Sequence, residues 1–179
     1  MVSRRGGGKL RPIFLMLFSA LLIVAQWTTV GASASFPELR GEPILEVRGA
    51  IENTNANGVA RFDLAMLQGL PTTRLETSTA VTDGVHLFEG FLMRDLLAHV
   101  RAKGETVTAT ALNNYVIDFD IDEFERFDVL VAYRMDGEPL LPSDKGPLWI
   151  VYPRDQHPEL QDIRYDYRWV WQLTRLDIR

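Results

Sequence analysis

Apolar and polar positions change period several times along the chain, and each change marks a candidate element. Residues 44–51 form a β-rich run, closed by the polar turn cluster Asn53-Thr54-Asn55-Ala56-Asn57-Gly58. Residues 62–68 predict a short helix stopped by Gly69 and Pro71. Residues 72–81 are threonine-rich and extended in character, and 85–88 are a second such run ahead of Gly90. From Phe91 to Lys103 the period lengthens. Leu92, Leu96, Leu97 and Val100 fall on one helical face, with Gly104 as the expected C-cap. Residues 106–112, 115–121 and 129–133 read as strands, the last turning through Asp136-Gly137 towards Leu140 in a hairpin. Residues 148–152 form a short buried run, and 169–176 close the chain as a strand. No repeat or long linker interrupts residues 35–179, so the pattern predicts one α+β domain, mostly β.

The first 34 residues follow a different pattern. Arg4, Arg5, Lys9 and Arg11 make a positive n-region, residues 13–25 are apolar except for Ser19, and Ala32-Ser33-Ala34 is a small-residue cleavage site. Residues 1–34 therefore read as a signal peptide, with Ser35 as the mature start and the periplasm or cell exterior as destination. An uncleaved membrane anchor needs roughly 20 apolar residues, more than this run supplies. Arg4-Arg5 admits a twin-arginine route, but the three glycines that follow and the strongly hydrophobic stretch fit the general secretory route better. Cleavage removes four of 19 basic residues and none of 24 acidic ones, which leaves 145 residues of net charge −9. That charge excludes general nucleic-acid binding and disfavours adhesion to anionic lipid.

The 179-residue chain has no cysteine. Disulfides, thiolate nucleophiles, cysteine zinc sites, cysteine-held iron–sulfur clusters and any molybdenum–thiolate bond are thereby excluded. His86, His99 and His157 are not spaced to supply two ligands from one helical turn, so no locally built zinc site is expected. His99 lies four residues after Asp95, where an ion pair across one turn accounts for it. Asp118, Asp120 and Asp122 alternate with apolar residues. A calcium loop would place Gly and Glu where Glu123 and Val129 stand, so the expected structure is a half-buried strand with its charges outward. No P-loop, dinucleotide fingerprint or G-x-S-x-G elbow occurs. Arg164, Tyr165, Asp166, Tyr167, Arg168, Trp169 and Trp171 form a dense aromatic–cationic stretch. It reads as a strand of large core side chains with arginines passing outward, a binding surface being the competing reading.

The order of segments resembles the molybdopterin-binding domain of the sulfite oxidase family. LEVRGAI (45–51) is similar to that family's first strand and RFDLAMLQGLP (61–71) to the short helix after it. FEGFLMRDLLAHV (88–100) resembles the aromatic–Gly–helix segment that follows the metal-ligand loop. LNNYVIDF (112–119), then residues 128–153 with their hairpin and G-P-L strand, look like the later half, and RWVWQLTRLDI (168–178) is similar to the terminal strand. The resemblance implies a mixed-sheet α+β domain with a few short helices. It also implies a cofactor cavity lined by the Thr77-Ser78-Thr79 loop, Asn114, Tyr115 and Arg154.

In members that do chemistry a cysteine thiolate reaches molybdenum just before the aromatic–Gly–helix segment. Here that stretch reads LETSTAVTDG (75–84), with Thr77, Ser78 and Thr79 in the thiol's place. Val81, Thr82 and Asp83 stand where basic residues follow it, and Trp149 stands where relatives often carry arginine. The expected protein therefore holds no metal and no catalytic residue. It keeps the scaffold to bind a small ligand or a periplasmic or membrane protein. The alternative is a divergent molybdopterin-dependent oxidoreductase in which a hydroxyl such as Ser78 replaces the thiolate.

Overall fold

The computed structural model describes Phe36 and residues 38–179; the expected signal peptide, its cleavage site and Ser35 lie outside the described residues. The strands are β1 (Leu45–Gly49), β2 (Val59–Phe62), β3 (Thr72–Ser78), β4 (Val85–Leu92), β5 (Thr106–Ala111), β6 (Val116–Asp120), β7 (Leu130–Met135), β8 (Glu138–Pro139), β9 (Trp149–Val151) and β10 (Leu173–Ile178). Between them lie α1 (Leu64–Gln68), α2 (Met93–His99) and α3 (Asp122–Arg126). One sheet has the order β2-β1-β10-β5-β6, and the other runs β3-β4-β7-β8 with β9 also paired to β7. All named strand pairs are antiparallel except β1 with β10, so this is the mixed-sheet α+β architecture expected.

The alternation read from the sequence sets which face is buried. Leu45 and Val47 of β1, Val107 and Ala109 of β5, and Leu173, Leu176 and Ile178 of β10 all point into the core. β7 and β9 depart from alternation. Leu130 to Tyr133 and all of β9 are buried, the pattern of strands covered on both faces. α1 starts where a cap is available. The Asp63 carboxylate accepts the Met66 N–H at 2.8 Å and the Arg40 and Gly41 N–H groups at 2.6 and 2.9 Å. These backbone donors hold the Asp63 carboxyl below its ordinary range.

Five local expectations need correction. The strand before α2 does not stop at Gly90 but continues to Leu92, because Gly90 sits against the backbone of β7, where a side chain has no room. Of the predicted helical face, Leu92 closes β4, Leu96 and Leu97 are buried on α2 and Val100 is its buried C-cap; the helix ends at His99, and Arg101 takes the left-handed position (φ 51°) expected of a glycine. Asp118 and Asp120 face outward on β6, whereas Asp122 opens α3. Residues 163–168 are a 3-10 helix and not a strand. His99 pairs with no carboxylate among the described residues. Its ring packs edge-on to Phe36 at 4.9 Å, and burial lowers its pKa.

The Asp136-Gly137 hairpin forms as predicted, with both residues at positive φ (52° and 84°) and Met135 paired with Glu138. His86 clasps it. Its Nδ1 lies 2.6 Å from Asp136 Oδ2 and its Nε2 2.9 Å from the Asp83 carbonyl oxygen. An imidazolium donates at both nitrogens and so satisfies both acceptors. The bond to Asp136 raises the His86 pKa above 6.5 and depresses that of Asp136 below 3.8. The His86 contribution to stability is therefore complete below its unfolded pKa of 6.5 and is lost as pH rises through the higher folded value. Asp136 acts in the opposite sense, stabilising above 3.8 and losing its effect as pH falls through its depressed value. Thermal unfolding of His86→Gln across pH 5–9 should show a smaller loss of Tm on the alkaline side than the parent. Parallel profiles for the two proteins would contradict the clasp.

Candidate functional site

The end of β3 meets the chain just beyond β9. Thr77 is fully buried, and its hydroxyl donates to the Ser78 carbonyl at 3.2 Å while accepting the Asp155 N–H at 3.2 Å. Ser78 turns towards the same partner. Its N–H and its hydroxyl both donate to the Asp155 carboxylate at 2.6 Å. The Ser78 hydroxyl and N–H, with the Arg154 charge adding to them, hold the Asp155 carboxyl below its ordinary range. Arg154 Nη1 reaches Ser78 Oγ at 3.4 Å, while Arg154 Nε is buried with no partner. Thr79 Oγ1 lies 2.7 Å from Thr82 Oγ1 and accepts the Val81 N–H. Every hydroxyl on residues 77–79 is thus engaged inside the protein.

The structure brings Thr77, Ser78 and Arg154 into one hydrogen-bonded cluster. Tyr115 stands beside a separate cavity of about 250 Å³, which the same loop reaches at Val81. Asn114 has a left-handed backbone (φ 64°) in the turn between β5 and β6; its neighbour Asn113, and not Asn114, lines the cavity. The remaining walls come from Ala111 and from the aromatic stretch, with Asp166, Tyr167, Trp169, Val170 and Trp171. Both readings of that stretch describe part of it. Trp169 and Val170 are buried in the core, whereas Tyr167 and Trp171 stay partly exposed at the cavity. The Tyr115 hydroxyl donates to the Tyr167 carbonyl at 2.8 Å and ties the two sides together.

Asp155 was not a sequence candidate, because a carboxylate beside Arg154 reads as a surface neighbour until the fold carries β3 to it. Among the described residues no group of three or more His, Cys, Asp or Glu side chains is arranged to hold a metal ion. His86 is clasped to Asp136, and His157 packs edge-on to Phe127.

The sequence model of the family described as oxidoreductase molybdopterin binding domain matches residues 48–156. Among solved structures, the sulfane dehydrogenase SoxCD from Paracoccus pantotrophus is similar, with a TM-score of 0.56 and 20% identity over 75% of this chain. At that identity the likeness is one of fold, and the chain covers 37% of that protein's length. A search of curated proteins found no match.

Proposed function

The chain belongs to the oxidoreductase molybdopterin-binding domain family, and from that premise we propose that it is an exported member which binds a small ligand or a periplasmic or membrane protein without molybdenum redox chemistry. One observation carries this reading: the hydroxyls at the thiolate's place are all engaged internally, and the carboxylate of Asp155 is bonded to Ser78. Seryl and threonyl hydroxyls stay protonated at neutral pH and are poor substitutes for a soft, charged thiolate donor. Turning the Ser78 hydroxyl towards a metal would break its bond to the Asp155 carboxylate, which would then add a negative charge beside an anionic cofactor. Arg154 is the sole cation in the cluster, and its charge is already opposed by Asp155. The residues present do not fit a thiolate-bound molybdenum pterin.

Elemental analysis of protein purified from its native compartment tests the reading. The expected result is molybdenum far below one equivalent per chain, and a stoichiometric content would overturn it. Export is tested separately. Intact mass of the purified protein should begin at Ser35, as the small-residue site at 32–34 requires, whereas a chain that retains Met1 in the membrane fraction would refute cleavage.

A further inference from the structure

We infer that the cavity between Tyr115 and Trp171 is a recognition site for a small organic cation, an alkylammonium head group. The inference rests on the proposed function, because the cavity must be free of pterin, and it deepens that proposal by naming the ligand's chemistry.

Asp166 lines the cavity, and its Oδ1 is buried without a hydrogen-bond partner. That oxygen is shut off from the open space, so what faces a ligand is the negative charge that Asp166 brings to a largely aromatic wall, and a cation complements it. Among the described residues no Lys or Arg lines the cavity. The arginines flanking Asp166 in sequence are engaged elsewhere, Arg164 with Asp162 and Arg168 with Glu123. Neither neighbouring arginine pairs with Asp166 among the described residues.

The walls select the kind of cation. Tyr115, Tyr167, Trp169 and Trp171 surround the space, and aromatic faces attract alkylammonium groups through the ring quadrupole, Trp most strongly. Tyr167 already has the Arg168 guanidinium 5.8 Å from its ring centroid. The Tyr115 and Trp171 rings form no ring–ring or cation–π pair among the described residues. A polar anion would meet a carboxylate in this apolar setting; a soft, weakly hydrated cation meets complementary surface. The volume of about 250 Å³ lies below the usual range for drug-sized ligands and suits a head group. The bond from Tyr115 to Tyr167 fixes the opposing walls before any ligand arrives, which lowers the ordering cost of binding.

Choline chloride is the probe, titrated into the purified native protein with calorimetry and tryptophan fluorescence as readouts. The uncharged isostere 3,3-dimethylbutan-1-ol has the same shape without the charge, and sodium chloride controls for ionic strength. Saturable choline binding is expected, with the isostere weaker by at least about tenfold. Asp166→Asn should weaken choline by about tenfold and leave the isostere unchanged. Trp171→Ala, at a partly exposed position, should weaken choline while retaining the parent Tm, so that binding loss is separated from misfolding. Equal affinity for choline and its isostere, parental choline affinity in the Asp166→Asn variant, or no saturation up to about 10 mM would each overturn the inference. A molybdenum-free protein that ignores choline overturns this inference alone, whereas stoichiometric molybdenum overturns the proposed function beneath it.

Discussion

Replacing Gly90 with alanine is expected to cost more than about 4 kcal/mol, because the new Cβ would stand 2.0 Å from the Val131 carbonyl oxygen and 2.7 Å from the Ala132 Cα. Both obstacles are backbone atoms of β7, a strand whose first four residues are buried. Neither can withdraw without breaking the pairing of Gly90 with Ala132 and of Phe91 with Val131. The register shift between Glu89 and Gly90 shows that β4 already bends at this point. Set against a total stability of about 5–15 kcal/mol, such a loss removes much or all of the folded population. Urea unfolding of Gly90→Ala, or its recovery only as aggregate, would register this. A transition within about 0.5 kcal/mol of the parent would mean that the two strands do not approach so closely.

Trp149→Ala is the second large effect, expected at about 3–5 kcal/mol. Trp149 is fully buried, meets Phe88 edge-on at 5.3 Å, and bridges through its backbone to Trp171. Truncation therefore leaves a cavity in the sheet that carries β4, β7 and β9. Trp149→Arg should be worse than Trp149→Ala, since it buries a guanidinium beside Phe88 and near the Lys145 ammonium, which lies 5.8 Å from the present ring centroid. The comparison bears on the site as well as on stability. If Trp149→Arg equals or exceeds Trp149→Ala in thermal stability, the surroundings of residue 149 are those of an anion pocket, and the core-packing account of this tryptophan fails.

Much of this fold was legible because its strands obey simple periodicity and its turns carry obligatory residues. Leu45 and Val47 alternate inward as read, Gly69 stops α1, and Asp136-Gly137 closes its hairpin. The errors share a physical origin, which is that a side chain's neighbours in space overrode its local preference. Gly90 reads as a breaker in one dimension, yet in three it permits close strand contact. Residues 163–168 carry strand-like aromatic residues but coil into a 3-10 helix, with Arg168 paired to Glu123 of α3. The site was legible only in part. Family resemblance drew attention to Ser78 and Arg154, which meet, but the Asp155 carboxylate between β3 and Arg154 has no signature at the level of spacing. Asp166 and the tryptophans after it were visible as a composition anomaly, and only the fold shows which of them face a cavity.

The placement of β10 between β1 and β5 has a kinetic consequence. Glu46 pairs with Arg175 and Val47 with Leu176, so the first strand of this sheet waits for a partner from the far end of the domain. Until β10 arrives, the β1–β2 ribbon and the β5–β6 ribbon are two separate hairpins, each with an open edge. Pairing over so long a sequence distance pays its loop-closure entropy before any contact rewards it, which slows the rate-limiting step. The β3–β4–β7 sheet has no such dependence, since its partners are closer along the chain and antiparallel. A nascent chain can therefore complete one sheet early while the other stays open and prone to aggregation until β10 has emerged.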